Sequence, residues 1–479
     1  MSLTSTLNSA LSGLTMTSRA AEVIASNIAN ATTPGYGRRE VVLSSRFGGG
    51  VVVDAVSRNQ TLPLLNDRRA ADAGQSGAES RAAALLAIEQ ALGSGDSSAG
   101  ISAAVSAFDA ALLSAAGSPE SAARLQTVLG AAQDLAGQIN AAGTAIQGER
   151  ALADARIGQQ VDTLNTALAQ VQALNSQIRS LQADSGEANT LIDQRQQLVD
   201  SIAGIVPLRE VDRGHGVIAL YTTSGAPLVD GNASVFGFTE ATAMDPAMTA
   251  GGALSGLTLN GRSLGTGETS LIAGGSLAAD FAIRDELGPQ AQAGLDALAR
   301  DLVDRFADPG LDATLAPGAA GLFTDAGAAL DPLNETGLAQ RLSVNAAVDP
   351  AQGGALWRLR DGLGATAEGA SGSSRLLNAL RGALTADRPA AGGTLFSGAA
   401  GFADRASTLV SALATDRLAA EGEVTFTSAR ASALQQRELE NGVDTDQELQ
   451  QLLVIEKAYA ANARVLQAAD DMLSTLMEI

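Results

Sequence analysis

The feature that most constrains this chain is its last stretch, residues 447–479, where apolar side chains recur at alternating steps of three and four. Leu452, Ile455, Tyr459, Asn462, Leu466, Ala469, Leu473 and Leu476 make a coiled-coil seam that runs to the end of the sequence. An isolated helix of this length is marginal in water, so the seam predicts a partner. The other end supplies one: Leu3, Leu7, Ala10, Leu14, Thr17, Ala21, Ile24 and Ile28 alternate in the same way. The two termini are therefore expected to form one interrupted coiled-coil module.

At 479 residues the rest of the chain has room for three or so domains. Its net charge of -21, from 31 Lys+Arg against 52 Asp+Glu, opposes nucleic acid and anionic membranes as partners. Aromatic residues are only 3% while Ala and Gly are abundant, which suits close-packed helices better than an aromatic-lined active site. With no cysteine, neither disulfides nor thiolate chemistry is available. Thr4, Ser5, Thr6, Asn8 and Ser9 interrupt the first leucines, so the start does not read as a cleaved secretory signal. No stretch is long and apolar enough for a membrane helix; the best, Ile101–Ala116, is broken by Ser102, Ser106, Asp109 and Ser114. The expectation is a cytosolic chain, or one exported without a cleaved signal.

The first helix is expected to end within Asn27-Ile28-Ala29-Asn30, because Thr33 before Pro34 is pushed out of the helical region and Pro34-Gly35 suits a type II turn. Ser12-Gly13-Leu14, Asn27-Ile28-Ala29-Asn30 and Thr33-Pro34-Gly35-Tyr36 together resemble the N-terminal signature of bacterial flagellar axial proteins, the rod, hook and hook-associated subunits. Ala458-Tyr459-Ala460-Ala461-Asn462-Ala463-Arg464-Val465-Leu466 resembles their C-terminal signature.

After the turn, residues 40–44 and 51–56 read as a hairpin, followed by helices over Leu62–Leu92 and Ile101–Ala116. Ser118 as N-cap with Pro119 at the first helical position predicts a very long helix, or two in line, over residues 119–184. Leu125, Val128, Ala132, Leu135, Ile139 and Ile146, then Ile157, Val161, Leu164, Leu168, Val171 and Ile178, mark its buried face. Next, Asn189-Thr190-Leu191-Ile192-Asp193-Gln194-Arg195-Gln196 resembles a segment of the hook-associated protein 1 family, with Gln196 in place of that family's acid. Rod and hook proteins do not carry this segment. Asp193 and Arg195 are expected on a solvated helix start. Residues 206–281 switch to short β-like runs at 217–221, 227–229, 235–238 and 257–259, of which Gly225-Ala226-Pro227-Leu228-Val229-Asp230-Gly231 is also family-like. The Asn and His pair of many family members is missing at residues 304–309. Helix is expected again from Phe402, with a break at Asn441-Gly442-Val443-Asp444 capped by Asp444 or Thr445.

The expected fold is mainly α with an inserted β domain: a terminal coiled-coil module (1–45 and 440–479, largely disordered in the monomer), a discontinuous helical bundle (46–204 and 276–439) and a small β domain (205–275). No catalytic or metal site is expected. The only histidine, His215, sits in Arg213-Gly214-His215-Gly216, a turn with no second His, and no phosphate loop or nucleophile elbow is present. No cofactor is expected either. The resemblance implies a structural subunit joining hook to filament, with the hook protein, the second junction protein, further copies in a ring and an export chaperone on the C-terminal helix as partners. It implies an extracellular place in the flagellum. The assembly residues it singles out are Leu3, Leu7, Leu14, Ile24, Ile28, Leu452, Ile455, Tyr459, Asn462, Leu466, Leu473 and Leu476, with Asn30, Pro34, Gly35 and Tyr36 as the turn motif. The alternatives are a rod, hook or flagellin-like subunit, or a flagellum-associated adhesin or hydrolase acting through the inserted domain.

Overall fold

The computed structural model describes residues 3–33, 35–46, 49–93, 100–181, 186–391 and 395–477. Pro34 of the turn motif lies outside them, and so do the side chains of Leu3 and Leu476. The chain begins with helix α1 (Leu3–Ala29), followed by an antiparallel hairpin of β1 (Arg39–Ser45) and β2 (Val51–Arg58). Helices α2 (Leu62–Leu92), α3 (Ile101–Ala116), α4 (Ala122–Ser180) and α5 (Gly186–Ala203) come next.

The long helix α4 runs unbroken for 59 residues and starts later than expected. Ser121, not Ser118, caps it by accepting a hydrogen bond from the Arg124 amide at 3.4 Å. The Ser121 amide in turn bonds the Ser118 carbonyl, so Ser118 and Pro119 form the turn that precedes the helix. Both serines satisfy the local capping rule, and the path from α3 decides between them.

A four-stranded antiparallel sheet follows, in the order β3 (Leu208–Asp212), β4 (Ile218–Thr222), β5 (Pro227–Asp230), β6 (Asn232–Ala233). A three-stranded one is built from β7 (Phe236–Gly237), β8 (Leu257–Leu259) and β9 (Arg262–Leu264). Helix α6 (Ser276–Ala282) passes through a wide π-type turn at Ile283–Leu287 into α7 (Gly288–Phe306). The region after it holds β10 (Phe323–Asp325), α8 (Leu338–Arg341), β11 (Leu342–Val344), α9 (Arg358–Asp361), α10 (Arg375–Thr385), β12 (Arg388–Pro389) and β13 (Ala399–Ala400). Two long helices close the chain, α11 (Phe402–Glu440) and α12 (Thr445–Met477). The break between them falls where the sequence places it, and Asp444 caps α12 through the amides of Asp446 and Gln447 at 2.9 and 3.2 Å.

Two apolar cores line up along α4. The first half of α4 packs with α3, α7, α10 and the start of α11, around Phe108, Phe306 and Phe323, whose rings meet at 5.2–5.8 Å. The second half, from Ile157 to Val171, packs with Val199 and Ile202 of α5, Leu220 and Val229 of the larger sheet, and Phe281 of α6. The sheet therefore shares its core with helices on both sides of it in sequence. Between the cores lies a polar layer: fully buried Arg150 donates to the carbonyls of Arg284 and Met248 at 2.9 and 2.7 Å, and Arg284 pairs with Asp154 at 2.7 Å. Such buried ions persist only where their polar atoms are met, and each guanidinium nitrogen of both arginines has a partner here.

From this body α2 and α11 extend together as an antiparallel pair, tied by Arg417 with Glu89, Arg81 with Glu423 (2.9 Å) and Arg68 with Glu438. Their far ends carry the terminal module, α1 packed antiparallel on α12 with the hairpin beside them.

Candidate functional site

The terminal helix pair forms as the two seams require, on a line of α1 that shares Ala10, Thr17 and Ile24 with the expected seam but is rotated away from its leucines. The line facing α12 is Ala10, Gly13, Thr17, Ala20, Ile24 and Asn27, all buried. Leu7, Leu14 and Ile28 lie half-buried on its flank, one step round the helix, and Leu11 is 58% exposed. Small residues win the central line because they let the backbones approach. A Cβ at Gly13 would stand 2.6 Å from the Asn462 amide nitrogen, so no larger residue fits this crossing without moving it.

On α12, Glu448 and Ala469 are fully buried, while Leu452, Ile455, Asn462 and Leu466 are half-buried along the pairing face. Tyr459 and Leu473 are 49% and 36% exposed, with Ala458 turned inward instead of Tyr459. Large apolar side chains also face water on the outer side, Val454 at 66% and Leu453 at 58% among them, with Leu449, Val465 and Met472. Val42, Leu43 and Val52 of the hairpin add to them. Most of the exposed large apolar side chains among the described residues belong to this module.

The root of the pair is polar. Asn27, 1% exposed, donates to the Arg39 carbonyl (2.9 Å) and to Glu448 (3.2 Å), and its oxygen accepts from the Tyr36 hydroxyl (2.9 Å) and the Arg39 amide (3.0 Å). Glu448 also accepts from Arg38 Nε at 2.6 Å. One asparagine thus joins the end of α1, the turn, the first strand and the start of α12. In the turn, the Tyr36 amide bonds the Thr33 carbonyl at 3.2 Å and Gly35 has φ of +77°, a left-handed conformation that glycine adopts without strain. Asn30 folds back to donate to the Ser26 carbonyl at 2.9 Å.

The segment expected on a solvated helix start is neither solvated nor idle. Asp193 sits between two arginines of the hairpin, with Arg39 Nη2 at 2.8 Å and Arg58 Nε at 2.9 Å. Asn189, 3% exposed, donates to the Val56 carbonyl at 3.1 Å. On the opposite side of α5, Arg195 is 2% exposed and donates to Asn175 Oδ1 (2.7 Å) and the Gly216 carbonyl (2.6 Å). Burial pushes its guanidinium down to about 10, against the pull of Glu210. Gln196 bonds Glu210 at 3.0 Å and meets the fully buried Arg69, which also pairs with Asp200 (2.7 Å) and Glu210 (2.9 Å). An acid at 196 would face Glu210 directly, which accounts for an amide here.

Arg38, Arg58 and Glu448 were not singled out by the sequence reading, and Asn27 was read only as part of the N-terminal signature, although Asn27 and Glu448 each continue an apolar stripe at the next three- or four-residue step. A polar residue on such a stripe is the available signal. His215 lies exposed in its turn with φ of +53°, and among the described residues no group of three His, Asp or Glu is placed to hold a metal ion.

Three family profiles match the chain: "Flagellar hook-associated protein FlgK helical domain" over residues 85–320, "Flagellar basal body rod FlgEFG protein C-terminal" over 435–479, and "Flagella basal body rod protein" over 7–36. Flagellar hook-associated protein 1 of Salmonella typhimurium is 27% identical over 241 residues, covering 48% of this chain and 43% of the relative. That of Escherichia coli is 27% identical over 241 residues, covering 48% and 44%. The matched region thus spans less than half the length of these curated relatives. The solved flagellar hook junction protein FlgK from Burkholderia pseudomallei is similar at 23% identity and a TM-score of 0.45, over 55% of this chain and 47% of that one. With its helical middle matching the FlgK profile and both ends matching flagellar rod-protein profiles, the chain is similar to the FlgK family of flagellar hook-associated proteins.

Proposed function

We propose that this chain is a structural subunit of the bacterial flagellum that joins the hook to the filament, and that α1 and α12 are the parts that assemble. The observation that carries this reading is the concentration of exposed large apolar side chains on the terminal helices and hairpin, which carry more than half of those among the described residues, while α2, α3, α4 and α11 together leave six, Leu86, Leu113, Leu152, Leu418, Phe426 and Leu439. Beyond Val23 and Ile24 the buried line of α1 is alanine, glycine and threonine and holds the pair weakly, so its distal halves are largely disordered in the free subunit and order as the outer leucines and valines are buried against neighbouring copies. Residues 1–45 and 440–479 form this module, 46–204 with 276–439 the helical body, and 205–275 the inserted β-rich part.

The relatives' printed name supports partners on the hook side. The finer assignments are the hook protein below, the second junction protein above, and further copies of this chain in a ring. An export chaperone shields α12 before secretion without a cleaved signal, and the protein resides outside the cell on the flagellum. The chain has no catalytic role in this reading.

The outer face of α12 provides the test. Val454→Asp and Leu453→Asp place a charge where the free chain exposes the side chain, so melting of the purified variants stays within about 0.5 kcal/mol of the parent. Burying that charge between copies costs several kcal/mol, roughly 3 or more, so both variants fail to appear on hooks in complemented cells. Normal incorporation of either variant would remove the outer face of α12 as an interface.

A further inference from the structure

The α5 segment raises a question that assembly alone does not answer, namely why a helix of the body spends its polar side chains on the hairpin. On one side of α5, Arg195 and Gln196 anchor it to α4, the sheet and α2 through buried bonds. On the other, Asp193 holds Arg39 and Arg58 at 2.8 and 2.9 Å, and Asn189 holds the Val56 carbonyl. Arg58 reaches on to the Gly35 carbonyl at 2.7 Å, and the Arg39 backbone carries Asn27 at the end of α1. An unbroken run of hydrogen bonds and ion pairs therefore leads from the body, through one carboxylate, to the root of both terminal helices.

The Asp193, Arg39 and Arg58 side chains are 13%, 15% and 8% exposed, so water competes little with the clamp. Among the described residues the distal half of the pair shows no buried ion pair of this kind, and its tie to the hairpin is the Val51 amide on Ser12 Oγ at 3.2 Å. We infer that the Asn189, Asp193, Arg195 and Gln196 turn of α5 is a socket that fixes the root of the terminal helix pair on the body before assembly. A free subunit then presents a preset root, and ordering of α1 and α12 propagates outward from it. The role in assembly rests on the function proposed above; the socket itself is a property of the single chain.

Hydrogen exchange of the full-length free protein tests it. In the parent, the Arg39 amide and the β2 amides near Val56 are protected, while amides of α1 around Leu11 and of α12 around Met472 exchange far faster. Asp193→Ala cuts both arms of the clamp and accelerates exchange at Arg39 on the order of tenfold or more, with α4 and α7 unchanged. Arg39→Met, which leaves the Asp193 to Arg58 pair in place, gives a smaller acceleration and guards against a misfolded Asp193 variant. Because the chain has no cysteine, spin labels at Ser45→Cys on the hairpin and Ala169→Cys on α4 report the joint directly. Their distance distribution is narrow in the parent background and broad once Asp193→Ala is added. A root that exchanges as fast as the distal ends in the parent, or a distribution unmoved by Asp193→Ala, overturns the socket. Failure to assemble on hooks with the root intact would instead count against the proposed function.

Discussion

Replacing Asn27 by alanine is the most informative single change at the root. Its amide makes hydrogen bonds at 2.9, 3.2, 2.9 and 3.0 Å to β1, to the turn and to α12. At about 1 kcal/mol net for each bond, and about 1–3 kcal/mol for each buried group left without a partner, the loss is roughly 3–6 kcal/mol. Alanine returns about 0.7 kcal/mol of helix propensity, too little to matter. Tyr36 keeps a contact with Ser26 at 3.2 Å, and Glu448 keeps Arg38, so the lower half of that range applies. Because only Val23 and Ile24 add large buried side chains of α1 next to it, with Ala20, Thr17, Gly13 and Ala10 farther out, a loss of this size releases the start of α12 rather than unfolding the body. Hydrogen exchange over the first turns of α12 should accelerate on the order of 100-fold, since each 1.4 kcal/mol is a factor of ten. The body should melt as before. Asn27→Asp should be worse than alanine, because it turns a second carboxylate toward Glu448. Unchanged protection of α12 in Asn27→Ala would refute the view that this amide holds the root.

Three further outcomes follow from the geometry. Leu466→Asp, half-buried on the pairing face, should loosen the distal helix pair and abolish incorporation into flagella, with the central cores still melting cooperatively. Arg69→Met should lower stability of the body by about 3–5 kcal/mol in urea titration, because Glu210, 7% exposed, loses its cation. Asp280 is fully buried on Arg156 and Gln160, and burial pushes its carboxyl above the usual range. Its folded form holds a proton more tightly than the unfolded one, so its stabilising contribution is full below the unfolded value and is lost as pH rises through the folded one. The parent should therefore gain stability relative to Asp280→Asn on acidification from neutral pH, measured as the shift in urea midpoint between the two.

The helices were legible where local signals are sufficient. Leu62–Leu92 and Ile101–Ala116 have the bounds read from apolar periodicity, each stopped by a glycine, Gly93 and Gly117. The terminal pairing was legible for the same reason, and Ala10, Thr17 and Ile24 of the expected seam lie on the buried line; Gly13 and Ala20 were not read there, because large residues dominate a hydrophobic pattern while close helix approach is set by small ones. Asp193 and Arg195 were misread because charged residues default to water, and their burial depends on Arg39, Arg58 and Asn175, distant in sequence. The buried layer of Arg150, Asp154 and Arg284 was invisible for the same reason. Strand positions could be read from β-branched runs, but the sharing of one core by the sheet and the second half of α4 is a long-range fact.

The central claim is most directly tested by electron microscopy of cells lacking this gene, together with the protein content of their medium. The account predicts hooks without filaments and flagellin shed outside, both reversed by the parent gene and not by Val454→Asp. Normal filaments on the deleted cells would contradict it.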